Sequence, residues 1–251
     1  MPESPARTPS AAVGPPSKSC GPRALITGSS SGIGAAIARR LLGQGWQVEG
    51  LDCAAPVLAH EGFRSHGVDL TDAAVTACVV EALLAQGPVD ALVHAAGVMR
   101  AATLGRLRQE DGELLWRLHV DAATRLADAV LPSRAQRGSG RCVLIGSRVS
   151  RGLAGRSQYA ATKAALASLA RSWAAEVVDR GVTVNVVSPA ATDTPMLRDG
   201  RRSDEAPRLP PIGRLIQPDE VAALVAFLLS PESAAITGQD IAVCGGASLP
   251  R

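Results

Sequence analysis

The run Arg23-Ala24-Leu25-Ile26-Thr27-Gly28-Ser29-Ser30-Ser31-Gly32-Ile33-Gly34-Ala35-Ala36-Ile37-Ala38-Arg39-Arg40-Leu41-Leu42 decides the fold. Its first five residues are a short β-prone stretch. From Gly32 onward, Ile33, Ile37, Ala38 and Leu41 recur at helical spacing. The glycines between them are spaced G-x-x-x-G-x-G, not G-x-G-x-x-G. A strand that passes through glycines into a helix brings free backbone N–H groups to one point. The helix N-terminus adds partial positive charge there, so the turn suits a phosphate. Gly34 lets the helix lie close on the strand. Gly28, Ser30, Ser31, Gly32, Ile33 and Gly34 are therefore the candidate pyrophosphate-binding residues.

Outward from this turn, strand-like and helix-like segments alternate. Strands are expected at 23–27, 46–51, 68–70, 91–94, 142–145, 182–187 and 240–243. Helices are expected at 32–42, 72–85, 111–131, 158–178 and 219–229. In the 72–85 helix, Val75, Val79 and Leu83 mark the apolar face, with Asp72 at the N-terminus. Short apolar strands separated by helices imply parallel pairing through right-handed crossovers. The fold class is α/β: a single doubly wound Rossmann-type domain, with a mostly parallel seven-stranded sheet flanked by helices. It spans residues 23–251, after a Pro-rich leader at 1–22 that is expected to be disordered. The Pro- and Arg-rich segment 191–217 is a candidate substrate lid.

Composition narrows the function. The 251 residues carry 26 Lys+Arg against 23 Asp+Glu, a net charge of +3, with no basic tract. Nothing there calls for nucleic acid or an anionic membrane. No apolar run approaches the ~18 residues of a spanning helix. The five cysteines form no C-x-x-C and pair with no histidine cluster, which points to a reducing, cytoplasmic setting. Cys78 and Cys142 sit in apolar segments and read as core. The four histidines form no metal-ligand pattern, and His119 reads as a packed or surface residue. All but two of the basic residues are arginine. The single tyrosine, Tyr159, stands four residues before Lys163, the only lysine other than Lys18.

That pair has chemical meaning. Residues i and i+4 share a helix face. A free phenol ionises near pH 10, and an adjacent ammonium favours phenolate, bringing it towards working pH. Ser147, at a strand end twelve residues earlier, is placed to donate to a substrate oxygen. Asp52 ends the second strand. A carboxylate there can accept from both adenosine ribose hydroxyls and repels a 2′-phosphate. With Cys53 next and no Arg or Lys in 28–34, NAD is expected and NADP is disfavoured.

These residues together resemble the short-chain dehydrogenase/reductase family. The motifs are Thr27-Gly28-x-x-x-Gly32-Ile33-Gly34, Asp69-Leu70, His94-Ala95-Ala96-Gly97, Ser147, Tyr159-x-x-x-Lys163, Asn185-Val186-Val187-Ser188-Pro189 and Thr194-Pro195-Met196. The resemblance implies an oxidoreductase that transfers a hydride between a secondary alcohol and the nicotinamide. Tyr159 would be the general acid/base, with Ser147 and Lys163 as partners. Asp69 and Leu70 would lie at the adenine, Ala96 and Gly97 by the adenosine ribose, and Pro189, Thr192 and Thr194 at the nicotinamide. The asparagine of the family's catalytic tetrad aligns with Asp121. A homodimer or homotetramer is implied, and no metal. Short strings around Asp52, Val98 and Thr192 look most like 2,3-dihydro-2,3-dihydroxybenzoate dehydrogenases. Arg100 and Arg148 are the candidates to pair with a substrate carboxylate. The alternatives are a 3-oxoacyl-thioester reductase, or a cofactor-binding regulator or inactive subunit.

Overall fold

The computed structural model describes residues 21–199 and 208–250. Its strands are β1 (Arg23–Thr27), β2 (Gln47–Asp52), β3 (Phe63–Gly67), β4 (Ala91–His94), β5 (Gly140–Ile145), β6 (Val182–Pro189) and β7 (Asp240–Val243). They form one sheet in the order β3-β2-β1-β4-β5-β6-β7, with every pairing parallel. The helices are α1 (Gly32–Gly43), α2 (Ala73–Ala85), α3 (Gln109–Trp116), α4 (Ala122–Gln136), α5 (Ser157–Val177), α6 (Pro195–Arg198) and α7 (Pro218–Leu229).

Successive strand residues point to opposite faces, and this splits the core in two. Leu25, Leu92 and Leu144 pack with Val80, Leu126 and Leu166 of α2, α4 and α5. Their neighbours Ile26, Val93 and Val143 pack on the other face with Ile37 and Leu41 of α1 and Val225 of α7. Both faces of the central strands β1, β4 and β5 are covered, so these strands are mostly apolar. The chain winds outward from β1 to β3, then crosses back to β4 on the other side of β1. A ligand crevice is expected at that reversal, outside the carboxyl ends of β1 and β4.

The glycine turn sits there. Gly28 has φ +69°, and a Cβ on it would stand 2.8 Å from the Ala96 backbone nitrogen. A Cβ on Gly34 would stand 2.0 Å from the Gly28 carbonyl oxygen, so only glycine lets α1 approach β1.

At the far side of the sheet, β6 is buried throughout. Its one asparagine, Asn185, donates through Nδ2 to the Ile236 carbonyl at 2.7 Å and accepts at Oδ1 from the Gln239 N–H at 3.1 Å. Ser188 donates to Asp240, and Thr237 accepts at its hydroxyl from the Val184 N–H at 3.1 Å. These bonds hold the approach to β7 against β6.

Several sequence expectations are corrected. Residues 68–70 are not a strand; β3 lies just before them. In α2 the buried face is Thr76, Val80 and Leu83, whereas Val75 is 47% exposed. Asp72 does cap that helix, accepting from the Val75 N–H at 3.0 Å. The single helix expected over 111–131 is instead α3, a π-helical turn over Arg117–Asp121, and α4 running on through Pro132 to Gln136. Cys78 is exposed, and only Cys142 of that pair is core. The expected leader at 1–22 lies, save its last two residues, outside the described residues, as do 200–207 of the candidate lid.

Candidate active site

A cavity of about 910 Å³ opens at the carboxyl ends of the central strands. Gly28, Ser31, Gly32, Ile33 and Gly34 form its floor. Asp52 stands at the end of β2, and Asp69 and Leu70 beside it. The loop after β4 supplies Ala96 and Gly97, the loop after β5 supplies Ser147 and Arg148, and the loop after β6 supplies Pro189, Thr192 and Thr194. Tyr159 and Lys163 reach in from α5. Residues spread over most of the sequence thus share one wall.

The Asp52 carboxylate is held from both sides. Its Oδ2 accepts from the Ser30 N–H and its Oδ1 from the Ala54 N–H, each at 2.9 Å. Each oxygen keeps acceptor capacity for a further donor. Ser30 itself is buried and its hydroxyl donates to the Ala54 carbonyl at 3.1 Å. It orients Asp52 and is not part of the cavity wall, unlike its expected direct role. Asp69 accepts at Oδ1 from the Thr71 N–H at 2.9 Å and from its hydroxyl at 2.8 Å.

Under the loop after β4, the buried Thr27 hydroxyl accepts from the N–H groups of Ala95 and Ala96, each at 3.0 Å. Its own proton then goes to His94 Nδ1 at 3.0 Å. The neutral His94 ring therefore carries its hydrogen on Nε2, which makes no hydrogen bond. Burial, then the nearby Lys163 charge, push the His94 pKa down to about 3.

Lys163 is 5% exposed. Its Nζ donates to the Ile145 carbonyl at 2.8 Å and stands 5.8 Å from the centre of the Tyr159 ring. Burial lowers its pKa to about 7. Tyr159 and Ser147 are buried at 7% and 9% exposure, and Ser147 Oγ accepts from the Val149 N–H at 3.3 Å.

The residue that the helix between α3 and α4 presents to this group is His119, not Asp121. His119 is wholly buried, and its ring meets that of Tyr159 edge-on, 5.6 Å between centroids and 87° between planes. Asp121 is half-buried and does not line the cavity. Two positions along the turn is nearly half a revolution, which carries residue 121 to another side. His119 is packed, as the sequence allows; its bond to Thr162 joins residues 43 apart and leaves no mark in the sequence.

The two arginine candidates separate. Arg100 donates to the Met99 carbonyl at 2.8 Å and pairs with Asp111 at 3.4 Å, outside the cavity wall. Arg148 lines the cavity, and its guanidinium has no hydrogen bond or ion pair among the described residues. Beyond it Leu114, Leu118, Val149, Leu153, Met196 and Leu209 give the wall an apolar arm, and Arg156 and Arg208 also line the cavity.

Comparison with known proteins bears on the family and the fold. The family model described as enoyl-(acyl carrier protein) reductase matches residues 28–248. The 3-oxoacyl-[acyl-carrier-protein] reductase of Salmonella typhimurium is 38% identical over 234 residues, covering 89% of this chain and 96% of that one. A solved short chain dehydrogenase/reductase family protein superposes with a TM-score of 0.81 at 35% identity, covering 92% of this chain and 98% of its own. This chain belongs to the short-chain dehydrogenase/reductase family. The 2,3-dihydro-2,3-dihydroxybenzoate dehydrogenase of Escherichia coli is also similar, 35% identical over 243 residues, with 91% of this chain and 98% of that protein covered. As a short-chain dehydrogenase/reductase, the protein is a nicotinamide-dependent oxidoreductase acting on hydroxyl or keto groups of a small molecule. No helix among the described residues is long and apolar enough to cross a membrane.

Proposed function

We propose that the enzyme interconverts a secondary alcohol and its ketone with NAD(H), and that the alcohol is a carboxylated, cyclic dihydrodiol-like compound. One observation carries the reading. The Ser147 hydroxyl, the Tyr159 phenol and the Lys163 amine share a cavity whose other end holds a pre-oriented Asp52. The residues fit a dinucleotide: the floor glycines leave room for a pyrophosphate, and Asp52 retains acceptor sites for ribose hydroxyls. The nicotinamide, when bound, gives or takes the hydride. Ser147 holds the substrate oxygen and stabilises charge developing on it. Tyr159 Oη gives the hydroxyl proton in reduction and takes it in oxidation. Lys163 holds the ribose and, as ammonium, favours the phenolate of Tyr159.

The reading is of a cytoplasmic homodimer or homotetramer. Trp116, 47% exposed at the end of α3, supplies apolar surface for such a contact. A 3-oxoacyl-thioester reductase is the second reading, favoured by the apolar arm of the cavity and by the acyl-carrier-protein reductase relative. Turnover on matched panels of cyclic diols and 3-oxoacyl thioesters separates the two.

Asp52 sets the first expectation. A 2′-phosphate would meet a carboxylate, and no cation stands in 28–34. We expect kcat/KM to favour NAD over NADP by tenfold or more, about 1.4 kcal/mol. Equal efficiencies would reject the assignment. Arg148 sets the second. Of the arginines on the cavity wall it is the one next to Ser147 in the chain, so it should pair with the substrate carboxylate. Arg148→Gln should raise KM for the carboxylated substrate about 10-fold or more, as loss of a charged hydrogen bond does. The matching uncharged alcohol should be unaffected. A similar change for both would remove Arg148 from substrate recognition.

A further inference from the structure

The wall behind Tyr159 contains a chain of hydrogen bonds whose direction admits one solution. The Val98 N–H can only donate, and it points to His119 Nε2 at 3.1 Å. That nitrogen is therefore the bare acceptor, and a neutral imidazole then carries its proton on Nδ1. His119 Nδ1 lies 2.9 Å from Thr162 Oγ1, so the imidazole donates to the hydroxyl. The hydroxyl in turn donates to the Tyr159 carbonyl at 2.9 Å. Three bonds thus run in one sense from the loop after β4 to the backbone of Tyr159.

The surroundings keep this polarity. His119 has no exposed surface, and burial together with the charge of Lys163 holds its pKa well below the usual value, so it stays neutral. The titratable groups facing it are Lys163 and Tyr159 from α5 and His94 from β4. The ring also packs against Gly97, where a Cβ would stand 2.9 Å from Nε2 and 3.6 Å from Lys163 Nζ. The π-helical turn over Arg117–Asp121 is what presents the imidazole here. Such turns recur at functional sites.

We propose that His119 is a positioning residue: through Thr162 it fixes Tyr159 and the Gly97–Val98 loop relative to one another, so that the phenol is held beside Lys163. The inference rests on the acid–base assignment of Tyr159. It predicts that breaking the chain at Thr162 lowers kcat without loosening the dinucleotide, and lets the phenol drift from the ammonium that favours its ionised form.

The single tyrosine makes the second effect directly visible, because phenolate absorption in the ultraviolet reports Tyr159 alone. The test uses the full chain with Thr162→Val, Thr162→Ser, His119→Gln and the Thr162→Val/His119→Gln double variant. Thr162→Val should lower kcat about tenfold or more, with the cofactor KM within about twofold of wild type. Its Tyr159 ionisation midpoint should rise above the wild-type value, and Thr162→Ser, which restores the hydroxyl, should return it. The double variant should be no slower than the slower single variant, since both break one chain. An unchanged ionisation midpoint in Thr162→Val would overturn the proposal whatever its kcat, and so would losses that multiply in the double variant. If His119→Gln does not fold, the valine and serine variants decide. A Tyr159→Phe enzyme with full turnover would instead defeat the proposed function, and the apo titration distinguishes the two failures.

Discussion

Tyr159→Phe should lower kcat by ~10²–10⁴-fold, the range that positioned acid–base catalysis supplies. That is roughly 2.7–5.5 kcal/mol of lost transition-state stabilisation. The substitution removes one hydroxyl and keeps the ring that packs edge-on against His119, so the fold should be unchanged. Dinucleotide binding, measured by fluorescence titration, should also be unchanged, because Asp52 and the glycine turn are untouched. Lys163→Met should behave differently, losing both turnover and cofactor affinity, since that amine sits at the cavity wall as well as near the phenol. Asp121→Asn should be nearly silent, because that carboxylate does not line the cavity. Full turnover in Tyr159→Phe would end the mechanism.

The second large effect is on stability. His94 is wholly buried with a pKa of about 3, and His119 is also held well below its usual value. Unfolded histidine takes up its proton near pH 6.5, whereas these two remain neutral in the folded chain. Below that pH the unfolded state binds more protons, so stability rises with pH and is lost as pH falls from 6.5 towards 3. Well below 6.5 and above 3, His94 adds a slope of about 1.4 kcal/mol per pH unit. His119 adds to the loss in the same direction, and together they remove a large share of a typical 5–15 kcal/mol. Urea unfolding at pH 7.5, 5.5 and 4.5 should show this loss. His94→Asn should remove the slope that His94 contributes, whatever its effect at neutral pH. An identical slope in that variant would refute the account. Lys163 works in the alkaline range with the same sign. Its folded pKa of about 7 lies below the unfolded value, so between there and pH ~10.4 raising the pH favours the folded state.

The parts of this molecule that depend on contiguous chain were legible in its sequence. The strand-glycine-helix run gave the turn at Gly28, and the i, i+4 spacing placed Tyr159 and Lys163 on one face. The parts that depend on contacts between distant segments were not. Strand β3 reads Phe-Arg-Ser-His-Gly and shows no apolar pattern, because it is a sheet edge. Cross-strand charge supports it instead: His66 lies 2.8 Å and Arg64 3.6 Å from the buried Glu49 carboxylate of β2. The π-helical turn has no sequence mark, so the segment reads as regular helix and His119 as no more than a packed or surface residue. Arg100 shows no partner in the sequence, whereas the fold brings the Asp111 carboxylate of α3 to 3.4 Å from it.

The bonds that hold β7 to β6 divide labour along the chain. The groups assigned to proton movement come from the loop after β5 and from α5, and those assigned to the dinucleotide mostly from the first hundred residues. Much of the apolar arm comes from later segments, including Met196, Leu209 and Leu249. Asn185, Ser188 and Thr237 tie the last strand, and with it the root of the 244–250 loop, to a rigid buried neighbour. Changes in these late segments therefore alter the shape offered to a substrate while the reacting atoms keep their places. Apart from Pro189, Thr192 and Thr194, the C-terminal quarter is where this scaffold can acquire new substrates with its chemistry left intact.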